Sequence, residues 1–173
     1  MKRFVIWVLG VFLCLIITGF LLVTYQQADD LVHSSLDTRT PAKYQPNDFD
    51  LKVSEVVVFN AEGQKLHGYF SPTANGAYVM LQHGFKANRG HMLEEAKILQ
   101  DAGFGVLVTS IRAHDLNDGN QITFGVKEVH DIAAWHSYLV NEQGLKKGKL
   151  GLLGNSMGAA IALEYAALNQ DVV

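Results

Sequence analysis

The chain opens on one unbroken apolar run and then changes to short apolar strands alternating with helical patterns. Phe4 to Val23 form twenty residues without a charge, enough at about 1.5 Å per residue to cross a hydrocarbon core of roughly 30 Å. Residues 25–48 mix charges, Ser, Thr, Pro41 and Pro46 without apolar periodicity, the composition of a linker. Beyond them the pattern becomes that of a folded domain, 49–173. Val53–Asn60 and Lys65–Phe70 are β-rich runs around the turn "AEGQ", which predicts a hairpin. Ala77–Gly84, Phe104–Ile111 and "KLGLLG" read as strands covered on both faces.

Between these strands the period is helical. Met92, Ala96, Leu99 and Ala102 keep one face and stop at Gly103. Val126, Val129, Ile132, Ala133, His136, Leu139 and Val140 mark the face of a second helix ending near Gly144, and "MGAAIALEYAAL" is built from strong helix formers. Strand and helix in alternation predict an α/β fold with a mostly parallel sheet and helices on both faces, preceded by one transmembrane helix at 1–24.

Charge orients the apolar run. Lys2 and Arg3 precede it and Asp29 and Asp30 follow it, so the N-terminus is expected in the cytoplasm and the domain outside, with residues 4–23 in the lipid bilayer. A cleaved signal peptide is the competing reading, but it wants a shorter apolar region, and "TYQQAD" lacks a small residue at the required place. Composition excludes more than it identifies. A net charge of -3 without a basic block gives no footprint for nucleic acid. The one cysteine, Cys14, lies inside the apolar run, so no disulfide framework and no cysteine metal site are expected. No pair of histidines has zinc-helix spacing, and neither metal nor cofactor is predicted.

The chemistry concentrates in "GLLGNSMGAA". Gly154, Ser156 and Gly158 form a G-x-S-x-G at a strand-to-helix junction. A turn that tight leaves no room for bulky neighbours two residues either side, and it lifts the serine hydroxyl out of the sheet. An oxyanion formed by attack at an acyl carbon would meet the backbone N–H of Met157. The plainer alternative is a serine capping a helix beside packing glycines.

Together with "LQHGFKAN", "GFGVLVTSIRAHDLNDG" and "ITFGVKEVHDIAAWHSYL", this stretch resembles the α/β-hydrolase superfamily, in its lipase-, esterase- and serine-aminopeptidase-like branch, from about Val53 onward. The resemblance implies an oxyanion loop after His83 and Gly84, with the N–H of Phe85 as second donor beside Met157. It gives His83 an architectural role and implies a small acyl substrate. Two features depart from the family pattern. Ala113 and Asp115 stand where the family shows glycines. After Ser156 the only acids are Glu164 and Asp171 and there is no histidine, whereas the family's triad continues with an acid and then a histidine. The expectation is the N-terminal part of a longer serine hydrolase, its acid and base beyond residue 173. The strand before Ser156 should then present an open edge, stability should be marginal and catalysis slight. The alternatives are a non-catalytic interaction module, or acyl transfer in a longer protein.

Overall fold

The computed structural model describes residues 1–35 and 39–171. Residues 36–38 of the expected linker and 172–173 of the expected domain lie outside it. The chain divides into two units, Met1–His33 and Ser34–Val173. The first is a single helix, α1 (Lys2–Val32), none of whose residues is buried and whose apolar stretch is long enough to cross a membrane. It continues past the last residue of the apolar run into the segment read as linker.

In the second unit, β1 (Ser54–Phe59) and β2 (Lys65–Ser71) form the expected hairpin. β3 (Tyr78–Gln82), α2 (Leu93–Asp101), β4 (Gly105–Thr109), α3 (Glu128–Gln143), β5 (Leu150–Gly154) and α4 (Met157–Leu168) follow in alternation. The strands form one sheet in the order β1-β2-β4-β3-β5. β3 is parallel to both β4 and β5, while the hairpin joins β4 through an antiparallel β2, so the sheet is mixed. The parallel part is the part built from strand–helix units, because each crossover helix returns the chain to the same end of the sheet.

Alternate strand residues feed two cores, as the pleat requires. Tyr78, Met80 and Leu107 face α3 and α4 with Ile132, Trp135, Leu139, Ile161 and Tyr165. Val79, Leu81, Val106 and Val108 face α2 with Met92, Leu93 and Ala96. Each such side chain contributes about 1.5–3 kcal/mol on burial.

Two expectations change. On α3 the buried face is Glu128, Val129, Asp131, Ile132, Trp135 and Leu139, whereas Val126 is 72% exposed and Val140 points outward. The face turns because both buried acids have partners, so they occupy positions that hydrophobicity alone would refuse. Likewise, the segment after residue 38 is not a free tether. Arg39 Nη1 donates to the carbonyls of Asp115 (3.1 Å) and Asn117 (2.5 Å), Nη2 donates to Gly119 O (2.6 Å), and Asn88 Nδ2 donates to the carbonyls of Thr40 and Pro41. Among the described residues β5 has a strand neighbour on one side only. Beside it, a groove of about 290 Å³ is lined by Leu152, Gly154, Ala159, Ala162, Leu163 and Ala166.

Candidate active site

β3, β4 and β5 are parallel, so their C-terminal ends meet on one edge of the sheet, where the loops carrying the motifs converge. Ser156 sits between β5 and α4 with φ 52° and ψ -117°, a strained backbone for a residue with a side chain. It is exposed, while Met157 and Gly158 behind it are buried. The turn is that tight because strand and helix nearly touch. A Cβ on Gly154 would overlap the backbone of Gly158 and Ala159, and one on Gly158 would overlap the carbonyl oxygens of Gln82 and His83. Asn155 N–H donates to Gln82 O (3.0 Å) and Gly158 N–H to Asn155 O (2.9 Å), which ties the turn to the end of β3.

That same end carries His83, Gly84 and Phe85. A Cβ placed on Gly84 would lie 3.4 Å from the Cβ of Ser156, so this loop runs directly alongside the serine. Phe85 packs against the core cluster that contains Met157. Among the described residues the backbone N–H groups of Phe85 and Met157 donate to no protein acceptor.

Two buried histidines shape the loop. His83 donates from Nδ1 to Gly84 O (2.8 Å) and accepts at Nε2 from Ile111 N–H (3.0 Å). Burial pushes its pKa down to about 3, despite the bond to Gly84. His114 donates from Nδ1 to Arg112 O (2.8 Å) and accepts at Nε2 from Lys86 N–H (3.0 Å), and burial lowers its pKa too. Both rings are neutral and have both nitrogens engaged, so each holds a loop and neither has a lone pair left for Ser156. His136 accepts or donates at Nδ1 with the Tyr165 hydroxyl at 2.8 Å.

The loop after β4 resolves the first departure from the family pattern. Ala113 and Asp115 have φ of 57° and 49°, the left-handed conformation glycine would adopt freely, at about 1–2 kcal/mol each. Asp115 is held there by Ser110 Oγ (2.7 Å) and by Arg89 (3.1 Å). Next to it, Arg112 makes a two-point pair with Asp131 (2.7 Å for both bonds) and reaches Glu62 at 3.0 Å. Burial would lower the Arg112 pKa, but Asp131 and Glu62 raise it.

No histidine or carboxylate among the described residues contacts the Ser156 hydroxyl. Glu164 lies on α4 against Gly125, and Asp171 pairs with Lys147 at 3.8 Å. Sequence reasoning placed Ser156, Phe85, Met157, His83, Gly84, Gly154 and Gly158 in one neighbourhood, and the structure brings them together. It missed Arg39, which carries no local signal inside a polar, proline-containing segment. It also missed the buried carboxylate of Glu128, which burial would raise but which hydrogen bonds from Thr123 Oγ1, Thr123 N–H and Gly125 N–H hold below the ordinary range.

Comparison with known proteins accords with this arrangement. Uncharacterised protein YqkD of Bacillus subtilis is 31% identical over 111 residues, covering 64% of this chain and 36% of that protein. An esterase of Pyrococcus furiosus, Pf2001, superposes with a TM-score of 0.70 at 26% identity over 78% of this chain and 53% of that one. A Vigna radiata epoxide hydrolase variant shares the fold alone, with a TM-score of 0.58 and 19% identity over 70% of this chain and 36% of its own. The chain thus spans between about a third and a half of the length of these relatives. The family description "alpha/beta hydrolase fold" matches residues 78–173, from the first residue of β3 through both crossover units and the serine turn, and this chain belongs to that family.

Proposed function

We propose that this chain carries the nucleophile of a membrane-anchored serine hydrolase acting on an ester, thioester or amide. Ser156 Oγ attacks the carbonyl carbon, and the N–H groups of Phe85 and Met157 receive the charge that develops on the carbonyl oxygen. The leaving group departs to give an acyl-enzyme on Ser156, which water then cleaves. The observation that carries the reading is the exposed Ser156 at φ 52°, with the Gly84–Phe85 backbone alongside it. A capping serine needs no such strain, and Ser156 makes no side-chain cap bond to α4.

The general base and its acid belong, on this reading, to chain beyond residue 173. A base needs a free lone pair and works best with a pKa near the operating pH; His83 and His114 have both ring nitrogens engaged, and burial holds the His83 pKa at about 3. The esterase from Pyrococcus furiosus is about twice as long as the part of it this chain covers, which leaves room for both groups. The α1 segment anchors the domain, with Lys2 and Arg3 on the cytoplasmic side.

A fluorophosphonate reporter tests the proposal. It should form an adduct at Ser156, slowly in this chain and on the order of 10²–10⁴-fold faster in a longer product that supplies a histidine. Ser156→Ala should abolish it in both. Fast labelling of the 173-residue chain would show that the base lies within it. Absence of any adduct in either form would favour the second reading, a non-catalytic module that pairs through the open β5 edge.

A further inference from the structure

Thr123–Val126 lies between the loop after β4 and the start of α3, and its central residue is held in an unusual way. Phe124 has φ 53°, a conformation that costs a bulky aromatic about 1–2 kcal/mol. Its ring is nonetheless 48% exposed, although burying a phenylalanine would return about 1.5–3 kcal/mol. A free loop would relax on both counts.

The restraint is Glu128, itself only 2% exposed. Its carboxylate accepts from Thr123 N–H (2.8 Å), Thr123 Oγ1 (2.5 Å) and Gly125 N–H (2.9 Å). The residues before and after Phe124 are therefore both fastened to one buried anion, which brackets Phe124 on either side. The ring is presented to Phe85, with centroids 5.3 Å apart and planes tilted by 36°. Phe85 follows Gly84, the residue that runs alongside Ser156. The two rings thus form an aromatic surface on the loop that runs beside the serine, with Lys86 Nζ 5.3 Å from the Phe85 ring centroid. Glu128 is turned into its own loop and Asp115 to Ser110 and Arg89, while Glu164 of α4 lies against Gly125.

We infer that Phe124 is a specificity-determining residue, whose ring, with that of Phe85, takes the apolar part of an acyl or alkyl substrate bound at Ser156. The inference rests on the serine reading above and adds a substrate class to it: medium-chain apolar groups are accepted over short ones. Glu128 is the positioning residue that keeps the ring at the mouth of the site.

The test compares adduct formation at Ser156 by ethyl and octyl fluorophosphonates on the full chain in lipid nanodiscs, followed by mass spectrometry. Partition of the octyl reagent into lipid is common to all variants, so the change in the octyl-to-ethyl rate ratio is the readout. The ratio should fall on the order of 10-fold from wild type to Phe124→Ala and survive in Phe124→Leu, which keeps an apolar side chain at that place. Phe124→Ala keeps the left-handed backbone and empties no core, so the sheet unit should keep its melting temperature. An unchanged ratio in Phe124→Ala, with the adduct still at Ser156, would overturn this inference and leave the serine reading standing. No adduct with either reagent would overturn both.

Discussion

His83 shows how burial converts a single side chain into a pH dependence. Its ring is closed off between Gly84 O and Ile111 N–H, and burial holds its pKa at about 3. In the unfolded chain it titrates near 6.5. Between those values the unfolded state binds a proton that the native state refuses, so stability is fully present above about pH 6.5 and falls with acidification. The slope is about 1.4 kcal/mol per pH unit, and His114, also lowered by burial, acts in the same direction. Urea unfolding followed by the fluorescence of Trp135 in a Trp7→Phe background should lose about 2 kcal/mol between pH 6.5 and 5. His83→Gln should start less stable and show a distinctly shallower slope. A stability flat across that range in the unsubstituted histidine chain would mean that His83 takes up its proton without unfolding.

At the scale of elements, the loop after β4 is joined to α3 and to the hairpin turn by charge rather than by apolar packing. Arg112 binds Asp131 through two bonds, Asn60 Nδ2 donates to the same carboxylate at 2.8 Å, and Glu62 completes the set from the turn. Arg112 and Asp131 are both buried. Removing one partner leaves the other charge stranded, so Arg112→Ala should cost about 3–5 kcal/mol in denaturant unfolding. Arg112→Met combined with Asp131→Asn removes both charges and keeps the acceptor for Asn60, so it should recover most of that loss. A single variant no worse than the double would show that the pair is not what couples these elements. The same pair explains why the helical face read from apolar spacing is turned: Asp131 occupies an inward position on α3, and Trp135 rather than His136 packs against the sheet.

For the whole molecule, the composition of α1 sets the expectation for topology. A 31-residue helix with none of its side chains buried suits lipid better than water, and the basic pair at its start should remain cytoplasmic. In a Cys14→Ala background, a membrane-impermeant maleimide applied to intact cells should modify Glu94→Cys, on the exposed side of α2. Lys2→Cys should react only after permeabilisation. The reverse pattern would invert the proposed orientation, and labelling of neither site until permeabilisation would place the sheet unit in the cytoplasm. The segment Arg39–Gln45, read from composition as tether, is instead fastened to the loops beside the serine, with Thr40 Oγ1 donating to Lys86 O at 2.5 Å.

The neighbours along the chain were enough to determine the elements that rest on local terms. Short continuous apolar runs give β3 and β4 two covered faces, and a longer one gives α1 its length. Glycine sterics give Ser156 its turn, because Gly154 and Gly158 act within two residues of it. Tertiary structure decided whatever depends on partners far apart in sequence. Arg39 finds its acceptors at Asp115, Asn117 and Gly119, Arg112 finds Asp131, and β2 joins β4 rather than β3. It also decided the left-handed turns at Ala113, Asp115 and Phe124, where no glycine announces them. A local propensity is a property of a residue and its neighbours. Strain at a non-glycine residue is tolerated only when distant groups such as Arg89 and Glu128 over-determine the position, and that sum exists only once the chain has folded.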